Sequence, residues 1–164
     1  MRIAELDDPG QLDELRALWL ALHHHHRKVV RFDGLVADDD ASWTRRRATY
    51  AEWLAAGDAL ILVARDDGGA PVAYAAVHLQ NGPDDTFAVG DRYAELYSLS
   101  VLPAHRSAGL GTRLFDEVDR RLDELGIAEL AVSVMADNAA ARRFYERRGL
   151  TEVEISYWRA RRSS

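Results

Sequence analysis

The chain has 164 residues, 48% of them hydrophobic and 29% charged, which suits one self-supporting domain over 1–160 followed by a short basic tail at 161–164. A formal net charge of −6 removes the broad positive field of a nucleic-acid binder, and zero cysteines remove disulfides, thiolate zinc sites and a cysteine nucleophile. No apolar run approaches the ~18 residues of a membrane span and "MRIAELDD" holds no apolar leader core, so a cytoplasmic protein with no membrane partner is expected.

In chain order, "MRIAEL" alternates as a short strand, and "DDPGQ" starts a helix with Asp8 as cap and Pro9 in its first turn. Leu12, Leu15, Trp19 and Leu22 then recur at helical spacing. This stripe runs into His23–His26, four consecutive histidines. No two of them stand four apart, only His23 and His26 share a face, and no carboxylate motif completes a metal set. A polar helix end is one reading of the run; the other is that His26 faces an amine site as a neutral acceptor.

"FDGLVADDD" breaks the pattern, and "ASWTRRRATYAEWLAAG" predicts a second helix with Trp43, Tyr50 and Leu54 toward the core, Asp40 near the cap and Gly57 at the stop. "ALILVAR" and "PVAYAAVHLQ" read as a hairpin around "DDGGA", and "RYAELYSLSVLP" as a fourth strand ended by Pro103. Leu110, Leu114, Val118 and Leu122 at spacings of four predict a helix closed by Gly126. "IAELAVSVM" is the next strand, "NAAARRFYERRG" a helix capped by Asn138, and "LTEVEISYWRA" a final strand. The order predicts a mixed α/β layer with a parallel crossover spanning roughly residues 93–134.

"RSAGLGTRLF" lies where the fourth strand hands over to a helix. Gly109 and Gly111 allow backbone amides to approach an anion closely, and Arg106 adds charge at the rim. A tight turn needs glycine even without a ligand, so the pair alone decides nothing. A Walker loop and a dinucleotide fingerprint both fail here, the latter because Leu114 stands where glycine or alanine is needed.

The stretch nevertheless resembles a known family, the GNAT superfamily of acyl-CoA-dependent N-acetyltransferases. Arg106, Gly109 and Gly111 match its [QR]-x-x-G-x-[GA] pattern after the fourth strand, and "NAAARRFYERRGL" matches its asparagine, aromatic–tyrosine and glycine motif. Ser107 departs from the glycine that many members carry. The resemblance is close over 59–150 and rests on element order alone over 1–58. It implies a mixed central sheet of six to seven strands flanked by about four helices and splayed between strands four and five.

It also implies acetyl-CoA as co-substrate, with pantetheine against Leu99, Ser100 and Val101 and pyrophosphate on the amides of Arg106, Ser107, Ala108, Gly109, Leu110, Gly111 and Thr112. Asn138 is a helix cap and, by resemblance, a cofactor contact. Tyr145 occupies the family's general-acid and cofactor-contacting position, against the plainer reading of an aromatic that packs a helix. Glu95 stands where some relatives carry a general base, with a surface carboxylate or an ordered water chain as alternatives. Period-two alternation puts Glu95 on one face with Tyr97 and Leu99.

Direct transfer to a primary amine in a ternary complex follows, because no covalent nucleophile is apparent. Asp33, Asp38, Asp39, Asp40, Asp84, Asp85 and Asp91 suit a small cationic acceptor, or are solvated loop and cap charges. His26, Trp43 and Glu95 are candidate acceptor contacts. A protein amino terminus or lysine is the alternative acceptor, and a non-catalytic acyl-CoA-binding module the competing class. No nucleic acid or metal is expected, and a homodimer is possible.

Overall fold

The computed structural model describes residues 1–31, 36–83, 85–106 and 109–159. Strands β1 (Arg2–Glu5), β2 (Ala59–Arg65), β3 (Pro71–Asn81), β4 (Arg92–Val101) and β5 (Leu130–Val132) form one sheet in that spatial order. The first four pair antiparallel, and β5 joins β4 in parallel. That parallel pair needs a crossover, which helix α3 (Leu110–Glu124) supplies.

A 3₁₀ turn at Pro9–Leu15 leads into α1 (Arg16–Val29), and α2 (Asp39–Ala56) follows. Asp8 caps the turn by accepting from the Gly10 amide. Asp38, not Asp40, caps α2, accepting from the Ala41 amide. Gly57 ends α2 at φ +73, a left-handed conformation that costs glycine nothing.

Two apolar layers sandwich the sheet. Leu12, Leu15, Leu18, Trp19, Trp43 and Tyr50 of the α1/α2 side pack on Ile61, Val63, Tyr74 and Ala76. On the other face Leu110, Leu114, Phe115, Val118 and Leu122 of α3 pack on Leu62, Ala75, Val77 and Leu96, and α4 (Ala139–Arg147) adds Phe144 and Tyr145. Strands β2 and β3 are buried on both faces, which explains their nearly continuous apolar sequences.

The sheet has five strands among the described residues, not six to seven. "IAELAVSVM" pairs only over Leu130–Val132, and "LTEVEISYWRA" forms no strand over 150–159. Val153, Ile155 and Tyr157 alternate as a half-buried strand would, but a strand exists only through a pairing partner, and none of the described strands pairs with them. Tyr157 is left 90% exposed and Trp158 76%. None of the described helices is long and apolar enough to cross a membrane.

Candidate active site

The site grows out of an irregularity in β4. Ala76 of β3 stands opposite Ser98 and Val77 opposite Leu96, so Tyr97 has no cross-strand partner. Such a bulge inserts one residue and re-phases the faces on either side of it. Glu95 and Tyr97 share a face, as alternation predicts, and Tyr97 meets Trp53 of α2, but Leu99 does not share it: beyond the bulge Leu99 and Val101 pack with the α3 layer. Ser98 and Ser100 take the α1/α2 face, where Ser98 accepts from the Tyr50 hydroxyl and Ser100 donates to the Leu18 carbonyl.

A second irregularity lies on the opposite edge of β4. Its parallel pairing with β5 runs through Ala94–Leu130, Glu95–Ala131 and Leu96–Val132 and stops there. From Tyr97 to Val101 the backbone facing β5 has no strand partner. Pairing thus ends, with β5 itself, beside the residues that the resemblance assigns to pantetheine.

Helix α3 begins at the end of this unpaired edge. Gly109 occupies its N-cap position at φ +71, with no side-chain cap, whereas Asp38 and Asn138 cap α2 and α4. First-turn amides of α3 therefore point outward without a side-chain acceptor. A Cβ built on Gly111 would meet only Val101 Cγ2, at 3.9 Å, so the protein's own packing does not require glycine there. Uncapped amides, the helix dipole and an open face over Gly111 are what an anionic group on this turn requires.

The other predicted contacts divide. Leu110 is buried, which leaves only its amide for a ligand. The Arg106 guanidinium donates to the Val101 carbonyl at 3.0 Å and is held at the end of β4. Asn138 Oδ1 accepts from the Ala141 amide at 3.2 Å, so the cap occupies that oxygen. Ser107 and Ala108 lie outside the described residues.

Glu95 is half-buried on the α2 face and is oriented by a short relay: Tyr93 donates to Gln80 Oε1 at 3.1 Å, and Gln80 Nε2 donates to Glu95. Burial pushes the Glu95 carboxyl above its ordinary range, against the opposing effect of the Gln80 bond. Its cross-strand partner is His78, stacked on Trp53 at 4.2 Å. Burial lowers the His78 pKa, and Asp58 partly opposes this. Across the sheet Tyr145 packs beside Phe115 and Phe144, and burial pushes its hydroxyl up to about 12. Sequence reasoning gives no hint of Gln80 or Tyr93, because their roles depend on cross-strand register.

A cavity of about 330 Å³, reached from β4 at Tyr97 two residues beyond Glu95, is lined by Trp19, Ala37, Ser42, Arg45, Arg46, Thr49 and Tyr97. Trp43 is not part of it: the ring lies in the core at 6% exposure, because α2 turns that side onto α1. Of the aspartates that suit a cationic acceptor, Asp85 and Asp91 are exposed and three others are engaged. Asp38 is a cap, Asp39 is held by His24 and Arg27, and Asp40 by Arg16. Asp33 and Asp84 lie outside the described residues.

The histidines of the run have different surroundings. His23 is buried, its Nε2 2.8 Å from the Ala37 carbonyl and its ring stacked on Trp19. His24 pairs with Asp39. His26 meets Trp19 edge-on, and burial first, then His23, His25 and Arg46, lower its pKa to about 4. It is therefore neutral at physiological pH. Among the described residues no three His, Asp or Glu side chains gather as a metal set.

A strand pairing that ends beside a glycine-lined helix start, with an oriented carboxylate on the neighbouring face, defines an α/β protein of acyltransferase type. The chain belongs to the acetyltransferase (GNAT) family, whose model matches residues 14–150. Its fold is similar to that of a GCN5-related N-acetyltransferase from Ralstonia eutropha, with TM-score 0.75, 22% identity and coverage of 95% of this chain and 96% of that one. An aminoglycoside antibiotic 6'-N-acetyltransferase from Acinetobacter haemolyticus matches with TM-score 0.68 and 18% identity over 100% of both chains.

Among curated proteins, ribosomal protein bS18-alanine N-acetyltransferase of Escherichia coli is 35% identical over 79 residues, 46% of this chain and 53% of that protein. Mycothiol acetyltransferase of Geodermatophilus obscurus is 39% identical over 41% of this chain and 22% of its own length. The match thus spans about half the length of the first relative and less of the second.

Proposed function

We propose that the chain is an acetyl-CoA-dependent N-acetyltransferase that moves an acetyl group to a primary amine by direct attack in a ternary complex. The observation that carries this reading is the unpaired edge of β4 beyond Leu96, which leads to an α3 start with no side-chain cap. Acetyl-CoA supplies the activated thioester. Amides from Gly109 to Thr112 hold its pyrophosphate, with Arg106 at the rim, and the free edge of β4 near Leu99, Ser100 and Val101 receives the pantetheine and donates to the oxygen on which charge develops. Asn138 supports this reading mainly by fixing the start of α4.

In the transfer the amine nitrogen forms a bond to the thioester carbonyl carbon and the carbon–sulfur bond breaks. A protonated alkylamine, pKa about 10, must first lose a proton, and Glu95 takes it directly or through water. Tyr145 donates to the departing sulfur. Acetyl-CoA with a broad panel of primary amines and short peptides should release free thiol together with an N-acetyl product. Tight acetyl-CoA binding with no release on any acceptor would sink the reading in favour of a binding module. A protein α-amine is the second acceptor reading, favoured by the ribosomal-protein acetyltransferase among the relatives. Exposed Val153, Ile155, Tyr157 and Trp158 support a homodimer, since a second copy would cover them.

Gly111 gives a direct test of the donor side. Gly111→Val should raise the KM for acetyl-CoA at least about tenfold, equivalent to ~1.4 kcal/mol, by filling the open face above the first turn. Melting temperature should change little, because the nearest atom to an added Cβ is 3.9 Å away. An unchanged KM would remove the pyrophosphate from this turn.

A further inference from the structure

The cavity lined by Tyr97 has a chemical character of its own. Arg46 lies with its guanidinium carbon 4.1 Å from the Trp19 ring centroid, 5.0 Å from that of Tyr97 and 5.6 Å from that of Tyr50. Three aromatic faces thus fix its plane, and stacking suits a guanidinium because its plane stays bare while its edges donate. Its Nη1 is buried with no hydrogen-bond partner. The guanidinium also donates to the Tyr50 hydroxyl, and Arg46 lines the cavity with its remaining atoms.

No carboxylate among the described residues pairs with Arg46 or with Arg45, which lines the same cavity. Arg47, next along the helix, does pair, with Asp13. The serine and threonine hydroxyls of the lining are already engaged, which leaves the Tyr97 hydroxyl beside the arginines. Ser42 accepts from Trp19 Nε1 and lies 3.3 Å from His23 Nδ1, and Thr49 donates to the Arg45 carbonyl. Two arginines without counter-ions therefore define the recognition chemistry of a cavity of about 330 Å³, a volume suited to a small molecule.

Tyr97, part of that lining, stands two residues from Glu95 on the same face of β4, about 7 Å along the strand. We infer that the acceptor is a small primary amine bearing an oxyanion, a carboxylate or a phosphate monoester, that Arg46 and Arg45 hold while its amine lies toward Glu95. This rests on the acetyltransferase reading and names its acceptor class. Arg46 acts as a specificity-determining residue, fixed by Trp19 and Tyr97 before any acceptor arrives.

The test uses matched amines with acetyl-CoA: O-phosphoethanolamine and γ-aminobutyrate carry an oxyanion, ethanolamine and n-butylamine carry none, and putrescine carries a second cation. Acetylation should favour the first two over the others in kcat/KM. Arg46→Gln should reduce the ratio of O-phosphoethanolamine to ethanolamine by about tenfold or more, and Arg46→Lys should restore part of it, since it keeps the charge without the planar fork. If Arg46→Gln does not fold, Arg45→Gln serves in its place. The ranking of the two anionic probes separates carboxylate from phosphate.

Acetylation of ethanolamine, n-butylamine or putrescine with no preference for the anionic amines overturns the inference and leaves the acetyltransferase reading standing. Calorimetric binding of an anionic amine that Arg46→Gln weakens, with no acetylation of anything, upholds the pocket and overturns the reading instead. Absence of both binding and transfer of the anionic probes overturns the inference.

Discussion

Glu95→Gln is expected to lower kcat by about 10²- to 10⁴-fold at neutral pH, the usual contribution of a positioned general base. The substitution keeps the shape of the side chain and an oxygen for the Gln80 bond, so what it removes is the ability to hold a proton. The carboxyl is held above its ordinary range by burial, and the base form is the ionised one. Activity should therefore fall as pH drops through that raised pKa, and Glu95→Gln should erase this acidic limb. His78 also titrates on this face, with a pKa that burial lowers. A limb that survives in Glu95→Gln belongs to His78 or the amine itself, and an unchanged profile clears Glu95.

Stability gives an independent readout with a worked sign. A carboxyl with a raised folded-state pKa binds its proton more tightly when folded, so that contribution is complete below the unfolded pKa and lost as pH rises through the folded one. At neutral pH the ionised Glu95 is thus a liability to the fold. Glu95→Gln should leave the midpoint of thermal unfolding unchanged or raised at pH 7 while activity collapses. A carboxylate kept at a cost to stability, two residues from a cavity-lining Tyr97, has the profile of a working group.

What the sequence made legible was whatever depends on local period and punctuation. The helix of Leu110, Leu114, Val118 and Leu122, the hairpin around "DDGGA" and the caps at Asp8 and Asn138 all follow from neighbours along the chain. The final strand was not legible, because alternation at Val153, Ile155 and Tyr157 states a wish to pair and says nothing about an available partner. Leu99 fell on the wrong face for a related reason: one unpaired residue, Tyr97, shifts every position after it, and no composition marks it.

The acceptor side shows the same divide more sharply. Counting aspartates left a pocket for a cation and solvated loop and cap charges both open, and Asp38, Asp39 and Asp40 are engaged in a cap and in ion pairs. Arg45 and Arg46, neighbours on α2, line the cavity with no carboxylate partner among the described residues. Charge in a sequence is an inventory; which charges remain available is settled only by tertiary pairing. His23 makes the point again, since a residue at the margin of the α1 stripe became one of the most buried polar groups.

Tyr145→Phe is expected to lower kcat by about tenfold to a hundredfold with little change in the KM for acetyl-CoA, a loss within the range of general-acid catalysis or below it. The phenyl ring retains the packing on Phe115 and Phe144, so the change isolates the hydroxyl. Burial pushes that hydroxyl up to about 12, which guarantees that it carries its proton throughout the physiological range. The same shift limits how far the proton can go. A free thiol has a pKa of about 8.5, so complete transfer to the departing thiolate would be uphill by ~5 kcal/mol.

The hydroxyl therefore acts first as a hydrogen-bond donor, strongest when charge on sulfur is greatest, and full protonation follows as the proton released by the amine reaches the site. That order predicts no basic limb from Tyr145 below about pH 11, in contrast to the acidic limb from Glu95. It also predicts that a thiol donor of lower pKa, which needs less help to leave, loses less activity on Tyr145→Phe. Equal loss for donors of different thiol pKa would assign Tyr145 to packing the helix on the sheet rather than to the leaving group.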